Sequence, residues 1–194
     1  TPSAWSARSD FSILTSEAAF AGSEWIGAIT RKDARIPEGR KYHGSELKKP
    51  EAKAAWAAVD TLAKKSIYLR RDFHVAKKVK DATAYVCGLG FYEFSLNGEK
   101  VGDSEFAPLW SDYDKSVYYN TYDVTSQVKK GGNAIGVLLG NGFYNVQGGR
   151  YRKLQISFGA PTLRFRMVVN YEDGTSETIV SGKDWKYDFS PVLF

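Results

Sequence analysis

The chain has 194 residues, 43% of them hydrophobic, 25% charged and 14% aromatic, with a formal net charge of +5. That is an ordinary globular composition, long enough to bury about 70% of the unfolded surface. A single cysteine excludes a disulfide framework, no apolar run reaches the roughly 18 residues of a membrane helix, and basic residues interleaved with acids leave no nucleic-acid footprint.

Residues 1–24 read as a lead-in from a preceding domain, with 5–11 as an edge strand lacking its sheet. Residues 25–194 read as one β-sandwich domain that looks cut at its C-terminal end. Within it, 24–28 is the expected first strand, and 31–49 is a charged, Pro/Gly-punctuated loop. Pro50 suits the first position of a helix, and Ala52, Ala55, Trp56, Val59, Leu62 and Ala63 recur at helical steps, predicting one peripheral helix on the outside of a sheet.

From Ser66 the hydrophobic period becomes two. Leu69, Phe73 and Val75 share a face that Arg71 interrupts, so Arg71 must snorkel or find a carboxylate. Strands are expected at 83–87, 92–96, 117–122, 134–139, 163–169 and 176–180. Tyr92, Phe94 and Leu96 alternate with Glu93 and Ser95 before Asn97-Gly98, the residue pair of a type I′ hairpin turn. Asp173-Gly174 marks a second hairpin. Asp123 or Thr125 can cap one helical turn, which Gly131-Gly132 would end. Many short strands with regular turn signals predict an all-β, antiparallel sandwich.

The polar groups do not assemble a catalyst. Asp103, Glu105, Asp112 and Asp114 lie near aromatics, but nothing holds two of them across one bond as glycosidic cleavage requires. The two histidines, His43 and His74, are not near a Gly-x-Ser-x-Gly elbow, and with one cysteine they do not make a zinc site. Cys87, in a strand-like run, reads as a buried inert thiol.

Carbohydrate suits the residues better. A sugar offers apolar faces to aromatic rings and hydroxyls to carboxylates and amides. Trp110, Asp112 and Tyr113 form one such group. Asn141, Phe143, Tyr144 and Asn145 form another, with Gln147 beyond them and Gly140 and Gly142 allowing close approach. Taken singly, each ring reads more readily as a core aromatic, and each glycine as a turn former. Asp and Asn could also serve calcium, but no Asp-x-Asp-x-Asp-Gly loop is present.

These segments carry a resemblance. Tyr68-Leu69-Arg70-Arg71-Asp72-Phe73, Ala84-Tyr85-Val86-Cys87-Gly88-Leu89-Gly90, Leu96-Asn97-Gly98-Glu99-Lys100-Val101-Gly102, Trp110-Ser111-Asp112-Tyr113-Asp114 and Leu139-Gly140-Asn141-Gly142-Phe143-Tyr144 occur in the order seen in the N-terminal domain of bacterial α-L-rhamnosidases, which the chain resembles from Trp25 to about Trp185. The resemblance implies a galactose-binding-like jelly roll. It also implies a parent enzyme that removes terminal α-L-rhamnose with inversion, using acids in a downstream (α/α) barrel absent from this chain. Rhamnose-containing glycans and that catalytic domain would be its partners, and its location periplasmic or secreted. Some relatives use such a domain as a calcium-dependent rhamnose module, which would place binding around Asn97 and at 141–145. The chain departs from the family at Pro108-Leu109-Trp110, where Pro-Gly-Trp is usual, and at Asn141, where an Asp is frequent. The lost acid weakens a calcium site. A stand-alone lectin-like or purely structural module is the alternative reading.

Overall fold

The computed structural model of the protein describes residues 16–28, 42–58, 62–146 and 154–192. The expected edge strand at 5–11, most of the loop at 31–49, Val59 and Gln147 lie outside them. Hydrophobic alternation builds the long strands, because successive side chains point to opposite faces. They are β2 (Ile67–Val75), β3 (Val79–Leu89), β4 (Tyr92–Leu96), β7 (Gly131–Leu139) and β10 (Thr162–Tyr171). Shorter ones complete the set: β1 (Tyr42–His43), β5 (Glu99–Lys100), β6 (Asn120–Asp123), β8 (Asn145–Val146), β9 (Leu154–Ser157), β11 (Ser176–Val180) and β12 (Lys186–Phe189).

One antiparallel sheet has the order β11-β10-β3-β6 and the other β12-β2-β7-β4-β5. Successive strands repeatedly change sheet, the winding of a jelly roll. Leu69, Phe94, Leu96, Ile135 and Val137 of one sheet meet Val86, Leu163, Phe165 and Met167 of the other, all buried. At the centre, the Phe94 and Phe165 rings cross edge to face with centroids 5.5 Å apart.

The strands at 92–96 and 176–180 fall where the sequence puts them. The segment 117–119 does not pair, and β6 begins only at Asn120. In 24–28 only Ile26 joins a sheet, bridging Leu163 through two backbone hydrogen bonds of 2.9 and 2.8 Å. Arg71 finds its carboxylate on Asp184, Nη1 to Oδ2 at 3.0 Å. Asp123 Oδ1 accepts hydrogen bonds from the Thr125 amide and hydroxyl, and the turn ends after Val128 N–H reaches Val124 O. Gly131 and Gly132 then open β7 rather than ending a helix.

A second layer lies outside the sandwich. The helix α2 (Pro50–Ala57) packs on the 3-10 turn Gly44–Lys48, beside a small sheet of order β1-β9-β8, and not along either main sheet. The helix α1 (Ser16–Ala19) and Phe20 lie on the outer face of the β10-β3 pair. Arg164 holds them there, its Nε donating to Ser23 Oγ (2.9 Å) and its Nη2 to the carbonyls of Phe20 and Ser23 (3.3 and 3.2 Å). Under this flap the Cys87 thiol donates to Tyr118 O, and burial pushes its pKa up to about 12. Folded protein should therefore not react with a thiol reagent at neutral pH, and should react fully once denatured. Stoichiometric labelling without denaturant would contradict this burial.

Candidate functional site

The Phe91 end of β4 is where two loops converge. Tyr92 N–H donates to Ala107 O (2.6 Å), and Gly140 N–H donates to Phe91 O (2.7 Å), so the segments after Val101 and after Leu139 flank the same strand end. The approach needs glycine. A Cβ on Gly90 (φ 125°) would lie 2.1 Å from Gly140 O, and one on Gly142 (φ 52°) 2.7 Å from the Phe91 nitrogen.

This convergence brings aromatic rings together in the open. Phe91 lies 5.6 Å from both Phe106 and Phe143, and Trp110 lies 6.3 Å from Phe143. Phe106 is 72% exposed, Leu109 78%, Trp110 63% and Phe143 46%. Phe106 also has a left-handed backbone (φ 54°), a conformation a bulky side chain seldom adopts.

The next residues of the same two loops are more buried. The edge of Tyr113 meets Tyr144 (5.2 Å), both pack on Phe158, and Tyr144 OH donates to Phe158 O (3.1 Å). Burial, with Tyr144 alongside, pushes the Tyr113 phenol up to about 12. Asn141 Nδ2 donates to Lys64 O (2.6 Å), and Asn145 Nδ2 donates to Asn141 Oδ1 (2.9 Å), fixing the turn at 141–145. Asp112 stays at the exposed rim, where its carbonyl accepts from the amides of Lys115 and Ser116 and its Oδ2 meets Lys115 Nζ at 3.1 Å.

Of the residues the sequence nominated, Trp110 and Phe143 therefore present open rings, with Asp112 at the rim and Tyr113 half-buried. Asn141, Tyr144 and Asn145 lie buried behind them. Asn97 is elsewhere, at the opposite end of β4. Its Nδ2 donates to Gln127 O (2.8 Å) and Asn133 Oδ1 (2.9 Å), and its Oδ1 accepts from Ala134 N–H (2.9 Å). Phe91 and Phe106 belong to the cluster but were not nominated, since loop residues carry no periodicity. The Asn141 and Asn145 amides bind each other and Lys64, and the described residues hold no group of three or more His, Cys, Asp or Glu placed for a metal.

The chain is 36% identical over 197 residues to an α-L-rhamnosidase of Formosa agariphila, a match covering 98% of this chain and 20% of the relative. It is 41% identical over 139 residues to an α-L-rhamnosidase of Streptomyces avermitilis, covering 71% of this chain and 13% of that one. The crystal structure of the Streptomyces avermitilis enzyme complexed with L-rhamnose matches with a TM-score of 0.61, over 66% of this chain and 12% of that one at 41% identity. The α-L-rhamnosidase structure from Dictyoglumus thermophilum matches with a TM-score of 0.58, over 66% of this chain and 14% of that one at 40% identity. The chain thus spans at most 20% of the length of these relatives. The α-L-rhamnosidase N-terminal domain family matches residues 77–194, from the start of β3 through β12. The chain belongs to that family.

Proposed function

We propose that this chain is the non-catalytic accessory domain of a larger α-L-rhamnosidase, and that its exposed rings contact the rhamnoside. The parent enzyme would hydrolyse terminal α-L-rhamnosides with inversion on a catalytic domain outside this chain. The observation that carries the reading is the open cluster of Phe106, Trp110 and Phe143 beside the turn at 141–145. L-Rhamnose is a 6-deoxy sugar whose methyl group and apolar ring face suit such rings, while its hydroxyls suit Asp112 and backbone groups.

Calorimetric titration with L-rhamnose tests this. Binding with a Kd of about 1 mM is expected, equal in calcium and in chelator, and weakened at least about tenfold in Trp110→Ala or Phe143→Ala. Both side chains are exposed, so neither variant should lose stability by more than about 0.5 kcal/mol. No heat at millimolar sugar would reduce the domain to a structural role. The exposed apolar side chains of Phe106 and Leu109 favour one such role, packing against the catalytic domain. An aryl α-L-rhamnoside should not be turned over by this chain alone.

A further inference from the structure

A second cleft lies at the sandwich and is lined by none of the residues of the ring cluster. It has a volume of about 440 Å³, within the range of small-ligand sites. The two sheets contribute one wall each. Trp25 comes from the segment that bridges β10 through Ile26, and Tyr187 from β12, the edge strand that pairs with β2. Both rings are substantially exposed. Between them Trp185 is locked in place, its Nε1 donating to Val180 O (2.9 Å) and its ring packed on Phe165 at 5.3 Å. An immobile aromatic floor costs little conformational entropy when a ligand settles on it.

The charges at this cleft are unbalanced. Lys183, Lys186 and Glu24 all line it. The carboxylates nearby in sequence or register are already engaged, Asp184 by Arg71 at 3.0 Å and Asp72 by Arg70 at 2.8 Å. Neither lysine has an ion pair among the described residues. The cleft therefore combines flat apolar surfaces, two ammonium groups, of which that of Lys186 also acts on the Asp72 carboxylate, and one carboxylate able to accept hydroxyl hydrogen bonds.

We propose that this cleft binds a hexuronate, a sugar carrying its own carboxylate. Its pyranose face rests on Trp25 and Tyr187, its carboxylate meets Lys183 and Lys186, and Glu24 accepts from its hydroxyls. The site shares no residue with the ring cluster, so a glycan could touch the domain at two separate places.

The test titrates the 194-residue chain with D-glucuronate and D-galacturonate. The controls are D-glucose, which has a ring but no carboxylate, and acetate, which has a carboxylate but no ring. A uronate should bind at least about fivefold more tightly than either control, and the Lys183→Ala/Lys186→Ala double variant should abolish that margin. Added salt should weaken the uronate alone. Trp25→Ala should weaken the uronate and leave L-rhamnose unaffected, whereas Trp110→Ala should do the reverse. Should Trp25→Ala fail to fold, the double lysine variant, which alters only surface charge, decides alone. Equal binding of glucose and glucuronate, absence of heat, or uronate binding indifferent to the two lysines would overturn the proposal. Loss of rhamnose binding would not, so the two sites fail separately.

Discussion

Replacing Phe94 with alanine is expected to cost about 3–5 kcal/mol of folding stability. The side chain is 1% exposed and stands where the sheets meet, edge to face with Phe165 at 5.5 Å and with Tyr122 at 5.7 Å. No neighbour can close the space, because its contacts come from two sheets whose separation is held by every other strand. Urea denaturation should show a lower midpoint with an unchanged slope. A loss below about 1 kcal/mol would mean that the sheets can collapse onto the gap, which would make the sandwich looser than described.

The second large effect is expected at Asn97. Asn97→Asp should lose about 2–4 kcal/mol, since an anionic oxygen would face Gln127 O and Asn133 Oδ1 where an amide now donates to both. Asn97→Gly keeps the left-handed turn (φ 55° in Asn97) and loses only the side-chain bonds, so it should cost about 1–3 kcal/mol. Denaturation curves measure both. L-Rhamnose affinity should be the same in each folded variant as in the parent chain. A variant of full stability but weakened sugar binding would return Asn97 to the functional residues.

Strand residues were legible because burial on one face writes a period of two into the chain. Leu163, Phe165, Met167 and Val169 are all buried, with Arg164 and Arg166 on the other face, as their spacing states. Arg71 was legible too, as a charge that had to be answered, though not by which acid. Asn97-Gly98 announced a turn correctly, but the same letters could not say that the amide would be consumed by Gln127, Asn133 and Ala134 from a distant stretch of the chain. Trp110 and Phe143 stood out in the sequence as rings among polar loop residues, and the structure leaves both exposed. Phe91 and Phe106 did not stand out, since their meeting depends on how Gly90 and Gly142 let two distant loops touch. The cleft of Trp25, Trp185 and Tyr187 left no local trace, because its walls come from opposite ends of the domain.

The strand order also has a consequence for how the chain is born. β2 takes one neighbour from β12, through Ile67 and Phe189, and β3 takes β10, through Leu89 and Thr162. Few consecutive stretches enclose apolar surface by themselves, so a ribosome must release nearly the whole sandwich before its first long strand has both partners. Such non-local pairing folds in roughly milliseconds to seconds, not microseconds. During that wait, the bare edges of β2 and β3 are the surfaces a chaperone would have to shield from neighbouring nascent chains.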